Sequence, residues 1–346
     1  MRTEIVDATR QKEAGTQLGA KIIREGGLVA FPTETVYGLG ANGLNGEAVA
    51  RIFEAKGRPS DNPLILHVSK KSEVRQLWDT LPESANILMD TFWPGPLTLI
   101  ARKSSIVPDE VTAGLDTVAV RMPANDTARA LIRKAGVPIA APSANLSGKP
   151  SPTTAAHVFD DMNGRIPLIL DGGACRYGVE STVLSLVGKP TILRPGAITL
   201  EMLSALLGEV RVADAVLSPL KENETAASPG MKYKHYAPDA EVIVVTGTPR
   251  KAAEKINELY VRAEAEGRHP EIVATEQTKG FYGGKNYVIL GSREKPATLC
   301  SNLFSYLRSI DRYSDLVLAE GISTKDAGLA YMNRLLRSAG FNNIEV

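Results

Sequence analysis

Cations and hydrogen-bonding side chains are concentrated in the short stretch from Lys56 to His67. Its two cations are Lys56 and Arg58, its hydroxyl, amide and imidazole groups belong to Ser60, Asn62 and His67, and its backbone contains Gly57, Pro59 and Pro63. Glycine permits positive φ and each proline fixes its own φ, so this loop has few conformations and holds its side chains close together. Such a group can bind phosphates or a small anionic substrate. The alternative is that Lys56 and Arg58 only complement the dipole at a helix C-terminus.

A second polar stretch, residues 142–153, follows a short apolar strand predicted at residues 138–141. It contributes Ser143, Asn145 and Ser151. In open α/β sheets, a buried strand that leads into a loop of this kind often holds an anion or a nucleotide. The alternative is an ordinary surface loop rich in turn-forming residues.

Further candidates lie beside other predicted strands. Arg121 lies in a predicted strand, Val118–Met122, and alternation places it on the face opposite Val118 and Val120. A lone arginine on a strand most often faces solvent, so a solvated position is the alternative to a functional one. The remaining hydroxyl and cationic candidates in loops or at strand ends are Thr33, Thr35, Ser181 and Arg194.

Several catalytic motifs are absent. The chain has no phosphate-binding P-loop, no His-Glu-x-x-His and no Gly-x-Ser-x-Gly, and its four histidines form no close pair along the sequence. The candidate set therefore suits a site that holds phosphates and a small polar substrate without a covalent enzyme intermediate. Phosphoryl or nucleotidyl transfer needs mainly positioning and charge neutralisation.

One glycine pattern suggests a different cofactor. Gly38, Gly40 and Gly43 match Gly-x-Gly-x-x-Gly, but a dinucleotide fingerprint should directly follow its strand and open a helix. Here residues 32–37 intervene. The sequence therefore favours a polar, glycine-rich loop at residues 32–43 over a dinucleotide site.

The composition is that of a soluble globular protein with no global charge bias. The 346 residues are 43% hydrophobic and carry a net charge of +1, which gives no general attraction for nucleic acid or an acidic membrane. The two cysteines form no close pair, so we expect neither a disulfide framework nor a cysteine-based zinc site. The chain shows no signal-peptide pattern and no apolar run long enough for a membrane span, so we expect a cytoplasmic location without membrane contact.

The pattern of elements predicts two α/β domains. Residues 1–208 have short, irregularly spaced strands among helices, which indicates a twisted mixed sheet. Residues 240–346 alternate regularly between strand and helix, which predicts a smaller, doubly wound parallel sheet of Rossmann-like type. Residues 209–239 are predicted to be a linker. Its tract from Lys232 to Tyr236 could cover a nucleotide as a lid or could be a solvated hinge.

Several separate segments resemble, in order, the signature segments of the YrdC/YwlC family of L-threonylcarbamoyladenylate synthases. The segments are Pro32–Leu39, Lys56–Pro59, Asn62–Leu64, Trp93–Thr98, Arg121–Pro123 and Pro142–Gly148. Residues 228–238 resemble the linker of the long form, which has an added C-terminal domain. The resemblance covers essentially the whole chain.

The resemblance implies a reaction in which L-threonine, bicarbonate or CO2, and ATP give threonylcarbamoyl-AMP and pyrophosphate. Mg²⁺ is expected with ATP, held by phosphate oxygens and water rather than by protein side chains. The product would serve the threonylcarbamoyl modification of adenosine 37 in tRNAs that read codons beginning with A. The implied partners are the downstream tRNA threonylcarbamoyl transferase proteins, with possible contact to tRNA.

The resemblance also implies residue roles. The expected catalytic residues are Lys56, Arg58, Ser143 and Asn145, which would also grip the nucleotide. Further ATP contacts are expected from Asn62, Thr117, Ser151, Arg194 and His235. L-Threonine is expected to contact Thr33, Thr35, His67, Arg121, Ala141 and Ser181. Two alternatives remain: a noncatalytic protein that binds double-stranded RNA or tRNA, and a carbamoyl-transfer enzyme or acylphosphate hydrolase with a related fold.

Overall fold

The computed structural model describes residues 2–219, 236–310 and 313–346. These residues form two compact units, which comprise residues 2–147 and 151–216 in the first, and 148–150, 217–219 and the described residues from 236 onward in the second. The predicted boundaries at 208 and 239 stay predictions. His235 and most of the tract from Lys232 to Tyr236 lie outside the described residues.

The described part of the first unit contains one mixed sheet of eleven strands. The strands are β1 (Glu4–Asp7), β2 (Val29–Phe31), β3 (Gly38–Asn42), β4 (Ile65–His67), β5 (Leu97–Arg102), β6 (Thr117–Arg121), β7 (Ile139–Ala140), β8 (Leu168–Asp171), β9 (Thr182–Ser185), β10 (Thr191–Arg194) and β11 (Arg211–Val212). Their order is β1-β8-β2-β3-β7-β4-β6-β5-β9-β10-β11. Parallel pairs such as β4 with β6 lie beside antiparallel pairs such as β6 with β5, which confirms the predicted mixed sheet.

Half of the described α-helices of this unit begin after a residue whose side chain accepts a capping hydrogen bond. The described α-helices are α1 (Lys12–Arg24), α2 (Gly46–Lys56), α3 (Val74–Leu77), α4 (Glu83–Phe92), α5 (Asp109–Thr112), α6 (Asp126–Ala135), α7 (Ala155–Met162) and α8 (Leu200–Leu207). Helix α2 begins after Asn45, whose side chain accepts a hydrogen bond from the Ala48 amide, and ends at Gly57, which has a φ of 59°. This glycine terminates the helix directly after Lys56.

The two faces of the central strands are different. On one face Leu66, Leu99, Val120 and Leu184 belong to the main core, which also contains apolar residues of α2, α4 and α8. The opposite face carries a smaller apolar cluster built around Ile65, Ile100, Ala119 and Val183. In β4, β5, β6 and β9, alternate side chains therefore point into the main core, and the side chains between them lie on the opposite face.

The predicted glycine-rich loop at residues 32–43 is partly wrong, because Gly38–Asn42 forms strand β3 between β2 and β7. A Cβ atom on Gly40 would lie 2.7 Å from Ile139 Cγ2 and 2.8 Å from Phe31 Cε1. Sheet packing therefore requires glycine at this position. The glycines serve close strand packing, and no helix begins where a dinucleotide fingerprint would need one.

The second unit has a parallel sheet, as predicted. Its described strands are β12 (Glu241–Thr246), β13 (Pro270–Thr275), β14 (Tyr287–Gly291), β15 (Leu316–Glu320) and β16 (Asn343–Glu345), and its helices are α9 (Pro249–Ala265), α10 (Pro296–Ser309) and α11 (Gly328–Ser338). The strand order is β14-β13-β15-β12-β16, and every pairing is parallel. Helix α9 packs Ile256 and Tyr260 against this sheet. In the described part of the chain, every helix is too short or too polar to cross a bilayer.

Candidate functional site

Several candidate residues lie on one face of the large sheet, across five adjacent strands. His67 in β4 is paired with Arg121 in β6, and Arg121 is paired with Thr98 in β5. Thr98 is paired with Val183 in β9, and Val183 with Arg194 in β10. Because directly opposed residues on neighbouring strands point to the same side, these side chains share the face opposite the main core.

Arg121 is buried on this face, with 3% of its surface exposed, so the solvated alternative is wrong. Its Nη1 donates to Thr35 Oγ1 at 2.9 Å, its Nη2 to Glu34 Oε1 at 2.6 Å, and its Nε to the Gly95 carbonyl at 3.3 Å. The other carboxylate oxygen of Glu34 accepts the Ala124 amide at 3.0 Å. Hydrogen bonds to three different groups therefore fix the orientation of the Arg121 guanidinium.

The hydroxyl of Thr35 is positioned by its own loop. Thr33 Oγ1 lies 2.8 Å from Thr35 Oγ1 and donates to the Val36 carbonyl at 2.6 Å. Since the Thr33 proton is used on that carbonyl, Thr35 is the donor between the two hydroxyls. Ala141, a further candidate, is buried and its amide donates to the Ile65 carbonyl of β4 at 2.9 Å.

The His67 imidazole is neutral at pH 7. Burial and then the nearby Arg121 charge lower its pKa from 6.5 to about 3. Its Nδ1 lies 3.2 Å from the Ile65 carbonyl oxygen, which can only accept a hydrogen bond. We therefore assign the proton to Nδ1, which leaves Nε2 as an acceptor.

Another hydrogen-bonded group consists of Ser181, Arg194 and Thr98, which are all buried. Arg194 donates from Nε to the Ser181 carbonyl at 3.0 Å and from Nη2 to Ser181 Oγ at 3.1 Å. Ser181 Oγ also lies 2.8 Å from Thr98 Oγ1. Residues from β5, β10 and the segment before β9 thus meet at one hydroxyl.

Lys56 connects the two polar stretches of the sequence. It is buried, and its Nζ donates to the carbonyl oxygens of Ser143 at 2.6 Å and Asn145 at 2.5 Å. Ser143 Oγ in turn donates to Asn145 Oδ1 at 2.5 Å. This position differs from an exposed lysine that only complements the helix dipole. Lys56 instead holds the residue 142–153 loop against the end of α2.

Two more candidates follow Lys56 in the chain. The Arg58 guanidinium lies over the Phe53 ring of α2, 5.9 Å from its centroid. Asn62 is fully buried, yet neither its amide nitrogen nor its amide oxygen has a hydrogen-bond partner among the described residues. Each unpaired polar group of this kind costs ~1–3 kcal/mol, so the Asn62 side chain marks a place where a polar ligand would be stabilised.

The candidates occupy two ends of the shared face. Thr117 begins β6 and Arg121 ends it, which separates their Cα atoms by about 13 Å at the usual rise of a strand. Asn62 precedes β4 and His67 ends it, and β4 is parallel to β6. The structure thus places Asn62 and Thr117 towards one end of these strands, and His67 and Arg121 towards the other.

Buried carboxylates were not among the sequence-based candidates. Ser151 donates to Glu180 Oε1 at 2.6 Å, and Glu34 pairs with Arg121. Thr98 was also missed. Each residue directly adjoins a candidate or lies in a segment that carried the family resemblance, so proximity to those segments is the signal that could have identified it.

The site offers no obvious metal cage or thiol nucleophile. Within residues 2–219, 236–310 and 313–346, no group of three or more His, Cys, Asp and Glu side chains could hold a metal ion. Burial raises the pKa of the Cys175 thiol to about 12, so it is protonated at pH 7. The arrangement can bind and orient charged substrates through arginine, hydroxyl and amide groups.

Comparison with known families covers both units. A family model described as telomere recombination, Sua5/YciO/YrdC, matches residues 21–196. A second model, described as threonylcarbamoyl-AMP synthase, C-terminal domain, matches residues 198–340. The two matches together account for most of the chain.

Full-length relatives and a solved structure agree with these matches. The chain is 50% identical over 339 residues to a threonylcarbamoyl-AMP synthase of Pyrococcus abyssi, covering 97% of each chain. It is 47% identical over 340 residues to the Bacillus subtilis protein of the same name, covering 97% of this chain and 96% of that one. The crystal structure of P. abyssi Sua5 complexed with L-threonine superposes with a TM-score of 0.90 at 50% identity, covering 96% of each chain. The chain therefore belongs to the Sua5/YciO/YrdC family.

Proposed function

We propose that this chain is a nucleotidyltransferase that converts L-threonine, bicarbonate or CO2, and ATP into threonylcarbamoyl-AMP and pyrophosphate. The names of the full-length relatives and the threonine complex of the P. abyssi protein support this function. The structural observation that carries it is the single sheet face shared by His67, Arg121 and Arg194, with polar candidates at both of its ends.

The end that contains Arg121 would bind L-threonine. Three guanidinium N–H groups are used by Glu34, Thr35 and the Gly95 carbonyl. A guanidinium has five, so one N–H remains on each Nη and the pair can meet the two oxygens of a carboxylate. The neutral Nε2 of His67 would accept the hydroxyl proton of threonine. Thr33 would orient Thr35, and Ala141 would line the same pocket.

The other end would bind ATP. Lys56 orders Ser143 and Asn145, and Arg58 would neutralise phosphate charge. Asn62 and Thr117 would add contacts at this end. Arg194 and Ser151 lie beside Ser181 and its neighbour Glu180, near the threonine end, so they would contact ATP where the two substrates meet. Mg²⁺ would arrive with ATP on its phosphate oxygens, because the described residues supply no carboxylate cage. His235 is proposed as an additional ATP contact from the linker, and it lies outside the described residues.

The chemistry would proceed without an enzyme-bound intermediate. The threonine ammonium group first loses a proton to solvent, and the resulting amine nitrogen forms a bond to the carbon of CO2 and loses a second proton to solvent, which gives a carbamate. A carbamate oxygen then attacks the α-phosphorus of ATP, and the bond from this phosphorus to the bridging oxygen breaks as pyrophosphate leaves. The protein would supply positioning and charge neutralisation.

The product would be the donor for the threonylcarbamoyl group at adenosine 37 of tRNAs that read codons beginning with A. A cytoplasmic location and transfer of the product to tRNA threonylcarbamoyl transferase proteins are parts of the same proposal.

The test is to incubate the pure chain with ATP, Mg²⁺, bicarbonate and each amino acid in turn, and to measure pyrophosphate and product mass. We expect pyrophosphate release that requires both threonine and bicarbonate. Release of free phosphate would instead indicate a hydrolase or carbamoyl-transfer enzyme. Salt-dependent binding of RNA without ATP turnover would favour the noncatalytic alternative.

A further inference from the structure

Which of the two hydroxyls, Thr98 or Ser181, donates to the other follows from the other hydrogen bonds that each of them makes. Both side chains are 0% exposed, and their oxygens are 2.8 Å apart. Either hydroxyl could donate to the other on distance alone. Each has one proton and two lone pairs, so the remaining partners of each oxygen decide the direction.

The hydrogen bonds of Thr98 Oγ1 are the simpler of the two sets, because they involve Ser181 alone among the described residues. Ser181 Oγ is the hydrogen-bond partner of Thr98 Oγ1, and this oxygen makes no other hydrogen bond to the residues that the structure describes. If Ser181 were the donor, the proton of Thr98 would be buried without an acceptor, at a cost comparable to a lost hydrogen bond. The stable arrangement has Thr98 donating to Ser181.

The other hydrogen bonds of Ser181 Oγ determine whether this hydroxyl donates to a ligand or accepts from one. Arg194 Nη2 donates to Ser181 Oγ at 3.1 Å, and an arginine cannot accept a hydrogen bond. With Thr98 also donating, both lone pairs of Ser181 Oγ are occupied. Its proton has no acceptor within the described part of the chain, so a bound molecule must provide one.

We infer that Thr98 is a positioning residue, which directs the Ser181 proton towards an acceptor oxygen of the substrate, the carboxylate of L-threonine. The inference rests on the proposed function, in which Ser181 contacts threonine. The strand register supports the carboxylate, because Thr98 is paired with Arg121, the residue proposed to bind the same group. The opposite direction would make Ser181 an acceptor and aim it at the ammonium group.

The test compares Thr98→Val, which removes the hydroxyl but keeps the β-branched shape, with Thr98→Ser, which restores a hydroxyl. For Thr98→Val we expect the KM for threonine to rise about tenfold, with the KM for ATP and the Tm nearly unchanged. Thr98→Ser should return the threonine KM to within about threefold of wild type, since the proton donor is present again. A purely structural role would lower the Tm and change both KM values together.

A double-mutant cycle checks that Thr98 acts through Ser181. Ser181→Ala alone should raise the threonine KM by about tenfold or more, and adding Thr98→Val should change it by less than about twofold. Effects that multiply, an unaltered KM in Thr98→Val, or failure of Thr98→Ser to restore it would overturn the inference. A wild-type chain without threonine-dependent pyrophosphate release would overturn the proposed function instead. Calorimetric titration of wild type and Thr98→Val with threonine would then still decide the role of Thr98.

Discussion

Glu34 and Arg121 form a buried ion pair, with 2.6 Å between the carboxylate oxygen and Nη2 and less than a tenth of either side chain exposed. Glu34 precedes β3 and Arg121 ends β6, two strands that are not neighbours in the sheet. The pair connects the Pro32–Leu39 segment to the strand that ends at the proposed threonine site. The Glu34–Arg121 pair therefore links the stability of the fold to the position of the Arg121 guanidinium in that site.

Removal of Glu34 should destabilise the fold strongly. Glu34→Ala leaves the Arg121 charge buried without its counter-ion, and breaking such a pair typically costs ~3–5 kcal/mol. Urea denaturation followed by circular dichroism would measure the free energy of unfolding. The control is Glu266→Ala, which breaks the exposed pair with Arg262 on α9 and should change stability little. Equal effects of the two substitutions would contradict the assigned importance of burial.

Replacement of Arg121 by lysine should impair threonine use selectively. Lysine keeps the charge but cannot contact Glu34, Thr35 and the Gly95 carbonyl while also presenting two parallel N–H groups to a carboxylate. We expect the KM for threonine to rise at least about tenfold, because a charge-assisted hydrogen bond contributes ~1.5–3 kcal/mol. The KM for ATP should stay within about twofold of wild type. Arg262→Lys on exposed α9 is the matched control, and an unaltered threonine KM in Arg121→Lys would remove Arg121 from this role.

Truncation of Arg58 should affect ATP instead of threonine. Arg58→Ala removes charge-assisted hydrogen bonds to phosphate, each contributing ~1.5–3 kcal/mol, so the KM for ATP should rise about tenfold or more. The guanidinium lies over Phe53 at the end of α2, and loss of this contact should lower the Tm only slightly. Pyrophosphate kinetics and thermal denaturation give the two readouts. A lowered Tm with normal ATP kinetics would support the helix-cap alternative.

His67 should make the fold less stable in mild acid. Its pKa is about 3 when folded, against 6.5 ordinarily, so between these values the unfolded chain binds a proton that the folded chain does not. The free energy of unfolding should therefore fall as pH decreases from 6.5 towards 3, by up to ~1.4 kcal/mol per pH unit from this group. Urea denaturation between pH 7 and pH 4.5 should show a steeper slope for wild type than for His67→Gln. Parallel curves for wild type and His67→Gln would refute the assignment.

Gly40 should be required for packing and not for nucleotide recognition. In Gly40→Ala the new Cβ would lie 2.7 Å from Ile139 Cγ2 and 2.8 Å from Phe31 Cε1, so these two side chains or the backbone must shift. Overpacking of this kind typically costs ~1–3 kcal/mol, and we expect a lower Tm with an unchanged KM for ATP. Gly280→Ala is the control, because no heavy atom lies within 4 Å of the position that its added methyl carbon would occupy. A selective loss of ATP affinity without loss of stability would restore the phosphate-loop interpretation.

Local sequence rules predicted a large part of the architecture. The strand predicted at Val118–Met122 is observed at Thr117–Arg121, and the strand predicted at residues 138–141 is observed at Ile139–Ala140, because the apolar pattern of a strand is a local signal. Strand alternation also placed Arg121 opposite Val118 and Val120. Strands β1, β3, β11 and β16 were not predicted: β1, β11 and β16 are short and partly polar, and β3 is rich in glycine, so none carries a clear apolar alternation.

The sequence by itself determined the helix and strand types, the mixed and parallel sheets, and the side of β6 on which Arg121 lies, because these follow from the pattern within each segment. Tertiary structure decided that Arg121 is buried against Glu34, that Lys56 holds Ser143, and that Thr98 meets Ser181. These partners are more than 80 positions apart in the chain. Periodicity within a segment carries no information about which strand becomes its neighbour, so only the assembled sheet could bring these side chains together.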